Sequence, residues 1–243
     1  MKQPLNAQQT LHALIDFFHP AGRVFIAGFA VVAILMWFFL GGFFFVIGAL
    51  LTAWCAFFFR DPPRVAPTRA GLILSPADGK VVGVKEVKPA PDLGLGDTPR
   101  WRVSIFLNIF DVHVNRIPAD GAVASTIYRK GKFLNASWDK ASEDNERMTV
   151  VMTLAGEHPY AGQNLGCVQI AGMIARRIVC DAKKGDRFKA GEHYGIIRFG
   201  SRADIYLPPG LAPLVAVGQY MLGGETVLAD CTSSETVRAG EKR

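Results

Sequence analysis

Between Val24 and Phe59 the chain carries no Asp, Glu, Lys, Arg or His. A run of that length without charge is well past the ~18 residues at which a membrane-spanning reading becomes the default, and a buried helix of a soluble core is the weaker alternative. As one helix the block is far longer than a hydrocarbon core of ~30 Å requires, whereas a break at Gly41-Gly42 gives two stretches near the lower limit for a span. A helical hairpin fits best, with a shallow re-entrant hairpin as the competing geometry. Lys2 and Arg23 precede the block, Arg60, Arg64 and Arg69 follow it, and the turn is uncharged, so the positive-inside rule places both ends in the cytoplasm. The block is too long for a secretory signal and runs directly into Arg60-Asp61-Pro62-Pro63-Arg64. Leu11, Leu14, Ile15 and Phe18 have helical spacing ahead of Pro20 and Gly22, which predicts an amphipathic interfacial helix within residues 1–22. Residues 1–64 are thus expected to anchor the chain and residues 65–243 to form its second domain.

The net charge of +6 in 243 residues admits an acidic partner. No basic run is interleaved with aromatics, which argues against nucleic acid, and a chain tied to a bilayer finds its anionic partner in lipid. Cys55, Cys167, Cys180 and Cys231 lack metal-ligand spacing and, in a domain facing the cytoplasm, stay reduced and serve packing.

After residue 70 the pattern changes to short β-branched runs between Gly, Pro and Asp turns. Strands are expected at 72–74, 80–87, 102–110, 149–154, 167–171, 196–199, 203–207 and 226–229, with Met173 to Val179 as the one stretch that reads as helix or strand. The predicted class is α+β: a mainly antiparallel β domain, barrel-like or sandwich-like, behind an N-terminal membrane helical hairpin. Gly185 to Gly191-Glu192 and Gly218 to Gly224-Glu225 share one spacing, a faint internal echo of turn glycines.

Gly200-Ser201 stands between two apolar runs, Ile196 to Phe199 and Ala203 to Leu207. Glycine has no Cβ to obstruct approach to its carbonyl, so the Ser201 hydroxyl has an accessible electrophile in the preceding peptide bond. Gly-Ser pairs are common in turns, and the pair alone does not establish chemistry. Asp111, His113 and Asn115 alternate as they would on one face of a strand, which would set a carboxylate near the imidazole. A hydrogen-bonded strand histidine explains that pattern equally well. Asp78 in Ala77-Asp78-Gly79 is first a turn signal.

Taken together, Phe58-Phe59-Arg60-Asp61-Pro62, Ser75-Pro76-Ala77-Asp78-Gly79, Phe106-Leu107-Asn108 with Asp111-Val112-His113, Asn145-Glu146-Arg147, Ile170-Ala171-Gly172 with Ala175-Arg176-Arg177, and Arg198-Phe199-Gly200-Ser201-Arg202 resemble the short-form phosphatidylserine decarboxylases of archaea and some bacteria. The resemblance spans nearly the whole chain. It implies a proenzyme cut between Gly200 and Ser201 into fragments 1–200 and 201–243 that remain associated. Ser201 becomes a covalent pyruvoyl cofactor, whose ketone condenses with the amine of phosphatidylserine and accepts electrons as carbon dioxide leaves. It further implies that His113 moves protons and that Asp78 supports self-cleavage. Longer relatives carry a second histidine where this chain has Arg116, so the division of roles stays open, with His193 as a second candidate. Arg116, Arg147, Arg202 and Asn115 are candidates for holding the substrate phosphate or carboxylate. A homo-oligomer is compatible with all of this, and no metal is expected.

Two other readings compete. Asp139-Lys140-Ala141 suggests a lipoyl-type or biotinyl-type carrier, but residues 135–147 are too polar for the tight hairpin between apolar strands such a lysine needs. The other is a non-catalytic membrane-anchored β domain in which Ser201 stays intact.

Overall fold

The computed structural model describes residues 15–131, 144–172, 177–198 and 201–241. The fold is α+β, and the chain divides into two compact units, residues 1–63 and 64–243.

In the first unit, α1 (Pro20–Leu40) and α2 (Gly42–Phe58) are separated by Gly41 alone, whose φ of 92° is a conformation that residues with a Cβ rarely adopt. The helices lie close because Gly48 faces Ala33: a Cβ on Gly48 would stand 2.7 Å from the Ala33 backbone. The chain ends of this hairpin return to one another, the His19 N–H donating to the Phe59 carbonyl at 2.9 Å and the Asp61 N–H to that of Phe17 at 2.7 Å. Large apolar side chains point outward along both helices, Phe38 and Phe39 being 75% and 81% exposed. α1 is long and apolar enough to cross a bilayer, and α2 with 17 residues is at the lower limit. Leu11 and Leu14 lie outside the described residues. Pro20 and Gly22, expected to close an interfacial helix, instead open α1, since proline's missing N–H costs nothing in a first turn.

The second unit holds thirteen strands among the described residues: β1 (Leu72–Leu74), β2 (Gly79–Val87), β3 (Arg100–Leu107), β4 (Val114–Arg116), β5 (Gly121–Arg129), β6 (Arg147–Leu154), β7 (Asn164–Ala171), β8 (Arg177–Cys180), β9 (Arg187–Phe188), β10 (His193–Arg198), β11 (Ser201–Tyr206), β12 (Tyr220–Met221) and β13 (Val227–Asp230). All their pairings are antiparallel. An eight-stranded sheet runs β12-β2-β3-β11-β7-β6-β5-β9, beside a three-stranded sheet β4-β10-β8 and the pair β1-β13. One open reading is resolved and one expectation corrected: of the stretch that reads as helix or strand, Arg177–Cys180 is strand, residues 173–176 lying outside the described set, and the run expected to reach residue 110 ends at Leu107 in a turn that holds Asp111.

The order of the large sheet reads as a palindrome, and the register shows why. Pro76-Ala77-Asp78-Gly79 and Pro118-Ala119-Asp120-Gly121 are the same four residues, each leading into a long strand. Leu74 N–H donates to the Pro118 carbonyl at 2.7 Å and Arg116 N–H to the Pro76 carbonyl at 2.9 Å, a reciprocal pair. A Cβ on Gly79 would meet the Phe106 carbonyl oxygen at 2.3 Å, and one on Gly121 that of Thr153 at 2.4 Å. Both strands then carry a bulge, after Val81 and after Val123. The four glycines of the echo all have positive φ. Two similar halves therefore meet at β11 and β7 in the centre of the sheet. The apolar core, which includes Val81, Ile105 and Ile205 from one half and Val150, Met152 and Leu165 from the other, draws on both.

Candidate active site

Ser201 opens β11, flanked by Leu107 of β3 on one side and Ala171 of β7 on the other. It is fully buried, and its Oγ has no hydrogen-bond partner among the described residues. A buried hydroxyl without a partner costs about 1–3 kcal/mol, so its retention points to use in chemistry rather than in packing. A buried serine hydroxyl without a partner among the described residues, at a chain position preceded by glycine, suits the precursor of a pyruvoyl group. Gly200 lies outside the described residues, as do Asp139, Lys140 and Ala141.

Motifs far apart in sequence close around this serine. Ala77, Leu107 and Ala203 form one buried apolar cluster, one residue from each of three segments. Asn145, fully buried, donates from Nδ2 to the Ala171 carbonyl at 2.7 Å, while the Ala171 N–H donates to the Glu146 carbonyl at 2.9 Å. Asn145 thus fixes the strand end that faces Ser201, a positioning role that its place in Asn145-Glu146-Arg147 did not by itself disclose.

Asp78 is 6% exposed, next to Ala77 of that cluster. Its Oδ2 takes a hydrogen bond from Arg64 Nη2 at 2.6 Å and its Oδ1 one from the Gly223 N–H at 2.7 Å. Both donors favour the ionised carboxylate. Arg64 is a contributor that sequence reasoning used only as a topological charge.

His113 is fully buried but precedes β4 instead of lying on it, so the expected strand alternation from Asp111 does not hold. The Asp111 carboxylate accepts the Asn108 N–H at 2.7 Å and closes the turn, whereas His113 Nδ1 meets the Asp111 backbone carbonyl at 3.0 Å. A carbonyl only accepts, so Nδ1 carries a proton, and in the neutral form of the ring the lone pair is then on Nε2. The His113 carbonyl accepts the Ile197 N–H at 3.3 Å, which lays this histidine along the strand that leads toward Ser201. His193 pairs with Arg116 at the far end of β10 and is exposed.

Asn115 is fully buried and accepts from Gln169 Nε2 at 2.9 Å. Gln169 stands opposite Ala203, so it shares the face of the sheet on which Ser201 and Ala171 lie. Arg202 and Arg147 both align with Ile170 and so point to the other face. Arg202 forms a buried ion pair with Asp204, Nε to Oδ1 at 2.8 Å. Arg147, together with Arg129, engages Asp92. Burial raises the Asp92 pKa, and hydrogen bonds from Arg147 and Arg129 outweigh it to hold the carboxyl below its usual range. Arg116 donates from Nη1 to the Gly191 carbonyl at 3.1 Å. Of the four candidate substrate ligands, the structure brings Asn115 to the Ser201 face and directs Arg147 and Arg202 away from it.

The four cysteines are free thiols. Burial pushes Cys180 and Cys231 up to about 11, which keeps them protonated and suits packing.

The sequence profile of the family described as phosphatidylserine decarboxylase matches residues 51–229. Among similar proteins, the phosphatidylserine decarboxylase proenzyme of Granulibacter bethesdensis is 56% identical over 214 residues, covering 88% of this chain and 85% of that relative. The proenzyme of the same name from Paramagnetospirillum magneticum is 58% identical over 196 residues, covering 81% and 80%, and that from Cereibacter sphaeroides is 52% identical over 236 residues, covering 96% and 98%. The profile takes in the strands that surround Ser201, the identity extends along most of the chain, and the chain therefore belongs to the phosphatidylserine decarboxylase family.

Proposed function

We propose that this chain is a self-cleaving, pyruvoyl-dependent enzyme that converts phosphatidylserine to phosphatidylethanolamine and carbon dioxide at the membrane. The observation that carries this reading is the buried, unbonded Oγ of Ser201 at the start of a central strand, in a chain of this family.

In processing, Ser201 Oγ attacks the Gly200 carbonyl and the peptide bond becomes an ester, freeing the Ser201 amine. Removal of the Ser201 Cα proton then breaks the Cβ–O bond, and the upstream chain leaves with a new C-terminal carboxylate. Water replaces the nitrogen of the resulting dehydroalanine, releasing ammonia. His113, with its lone pair at Nε2, is the proton carrier, and Asp78, ionised between Arg64 and Gly223, supports the charge that develops. The pyruvoyl carbonyl supplies the electrophile for the substrate amine and the sink for the electron pair left by carbon dioxide.

Fragment 201–243 contributes β11, β12 and β13, each paired with strands of fragment 1–200. The two fragments hence stay together as one β domain, a sandwich in which β4-β10-β8 covers the Ser201 face. The hairpin holds the enzyme in the membrane with its catalytic domain on the cytoplasmic side, following the basic residues that flank it. Protein reconstituted with phosphatidylserine labelled at the headgroup carboxyl should release labelled carbon dioxide; a fully cut protein that releases none would overturn the substrate assignment.

A further inference from the structure

Three fully buried residues, Ser201, Asn115 and Gln169, each leave a polar atom without a hydrogen-bond partner among the described residues: Oγ, Nδ2 and Oε1. They belong to one layer. Gln169 and Ala171 are one pleat apart on β7, Ala171 faces Ser201, and Gln169 reaches Asn115 of the three-stranded sheet at 2.9 Å. Gly195 of β10 leaves room for this contact, since a Cβ there would stand 3.0 Å from Gln169 Nε2 and 2.2 Å from the Val179 carbonyl oxygen. Exchanging oxygen and nitrogen in both amides preserves their mutual bond, and in either arrangement one donor and one acceptor remain unused.

One spare N–H and one spare carbonyl on a bonded pair of amides match a group that is both acceptor and donor at neighbouring atoms. The carboxylate and amine of an amino-acid headgroup are such a group. Resting on the assignment of Ser201 as the reacting residue, we propose that the Asn115–Gln169 amide couple recognises this end of the substrate, its N–H taking the carboxylate and its carbonyl oxygen the amine. A neutral amide is suited to a carboxylate that is about to lose its charge as carbon dioxide, because a guanidinium would hold the ground state too firmly. Arg147 and Arg202, in the neighbouring row, face the other side of the sheet.

The test is Gln169→Met, which keeps length and removes the polar pairing. The variant should yield fragments 1–200 and 201–243 by intact mass as the wild type does, with KM for phosphatidylserine raised about tenfold and kcat changed by less than about threefold. Glycerophosphoserine should inhibit the wild type more strongly than glycerophosphoethanolamine, which lacks the carboxylate, and the variant should lose that preference. A fully cut Gln169→Met enzyme with wild-type KM and preference overturns the proposal. So does a folded variant that cannot cut itself, because the couple would then serve processing. Should the methionine variant not fold, Gln169→Glu decides, since a carboxylate facing the substrate carboxylate should raise KM by more than about tenfold, and an unchanged KM overturns the proposal. An uncut wild type would contradict the role of Ser201 itself and is seen before any variant is made.

Discussion

The Gly223 N–H donates to Asp78 Oδ1 at 2.7 Å, and in the other half of the sheet the Ala190 N–H donates to Asp120 Oδ1 at 2.8 Å. The two aspartates are counterparts in the repeated Pro-Ala-Asp-Gly segments, so this hydrogen bond belongs to the fold of each half. What distinguishes Asp78 is its burial and its second oxygen, which takes Arg64, while Asp120 is exposed. The same correspondence places Gln163, after Gly162, where Ser201 stands in the other half, because Phe106 pairs with Arg202 as Thr153 pairs with Asn164. One half carries a serine hydroxyl at this place and its counterpart a side-chain amide.

Asp78→Asn should therefore slow self-cleavage by roughly 10²-fold or more, and Asp120→Asn should leave it at the wild-type rate. Electrophoresis of each variant over time after synthesis measures this. Equal loss in both would reduce Asp78 to a turn residue. Arg64→Leu, which strips a partner from a pair with side chains 10% and 8% exposed, should destabilise the protein by about 3–5 kcal/mol in denaturant unfolding and slow cutting as well.

Asn145→Ala removes the donor to the Ala171 carbonyl. The expected cost is about 1–3 kcal/mol, with slower cleavage because the strand end opposite Ser201 loses its anchor. Unfolding midpoints and cleavage rates of the same preparation check both effects, and a destabilised variant that cuts at the normal rate would confine Asn145 to stability.

Asp230 of the downstream fragment is bonded to Arg69 of the upstream one. The Arg69 hydrogen bond, opposed by burial and assisted by Thr232, draws the Asp230 carboxyl down to about 2. A depressed folded-state pKa contributes stability that is fully present above the unfolded value of ~3.9 and is lost as pH falls through the folded one. The stability advantage of wild type over Arg69→Ala should thus be constant above about pH 4 and shrink between about pH 4 and pH 2. Denaturant unfolding as a function of pH measures it, and an advantage that persists at pH 2 would exclude this pair as its source.

The parts of the molecule readable in advance are those set by local chemistry. The break at Gly41-Gly42 follows from glycine's access to positive φ, and most of the long β-branched runs became strands. β5 has no clear strand signal because Gly121 to Arg129 mixes small and polar residues, and its place between β6 and β9 comes from pairing. The sequence pattern places His113 on a strand that in fact begins one residue later, since a buried turn and a buried strand look alike in a short polar run. Pro-Ala-Asp-Gly occurs twice in the sequence, but as a turn signal it does not by itself disclose the two long strands of matching register that follow it. Asn145 and Gln169 were inaccessible for another reason: their partners, Ala171 and Asn115, come from distant strands, and only the sheet register brings them together.

Intact-mass spectrometry of the wild type beside Ser201→Ala tests the central claim most directly. The account predicts fragments 1–200 and 201–243 in the wild type, the latter with a pyruvoyl group in place of its first residue, and a single uncut chain in the variant. A folded wild-type chain in lipid that stays uncut, with Ser201 unmodified, would contradict it.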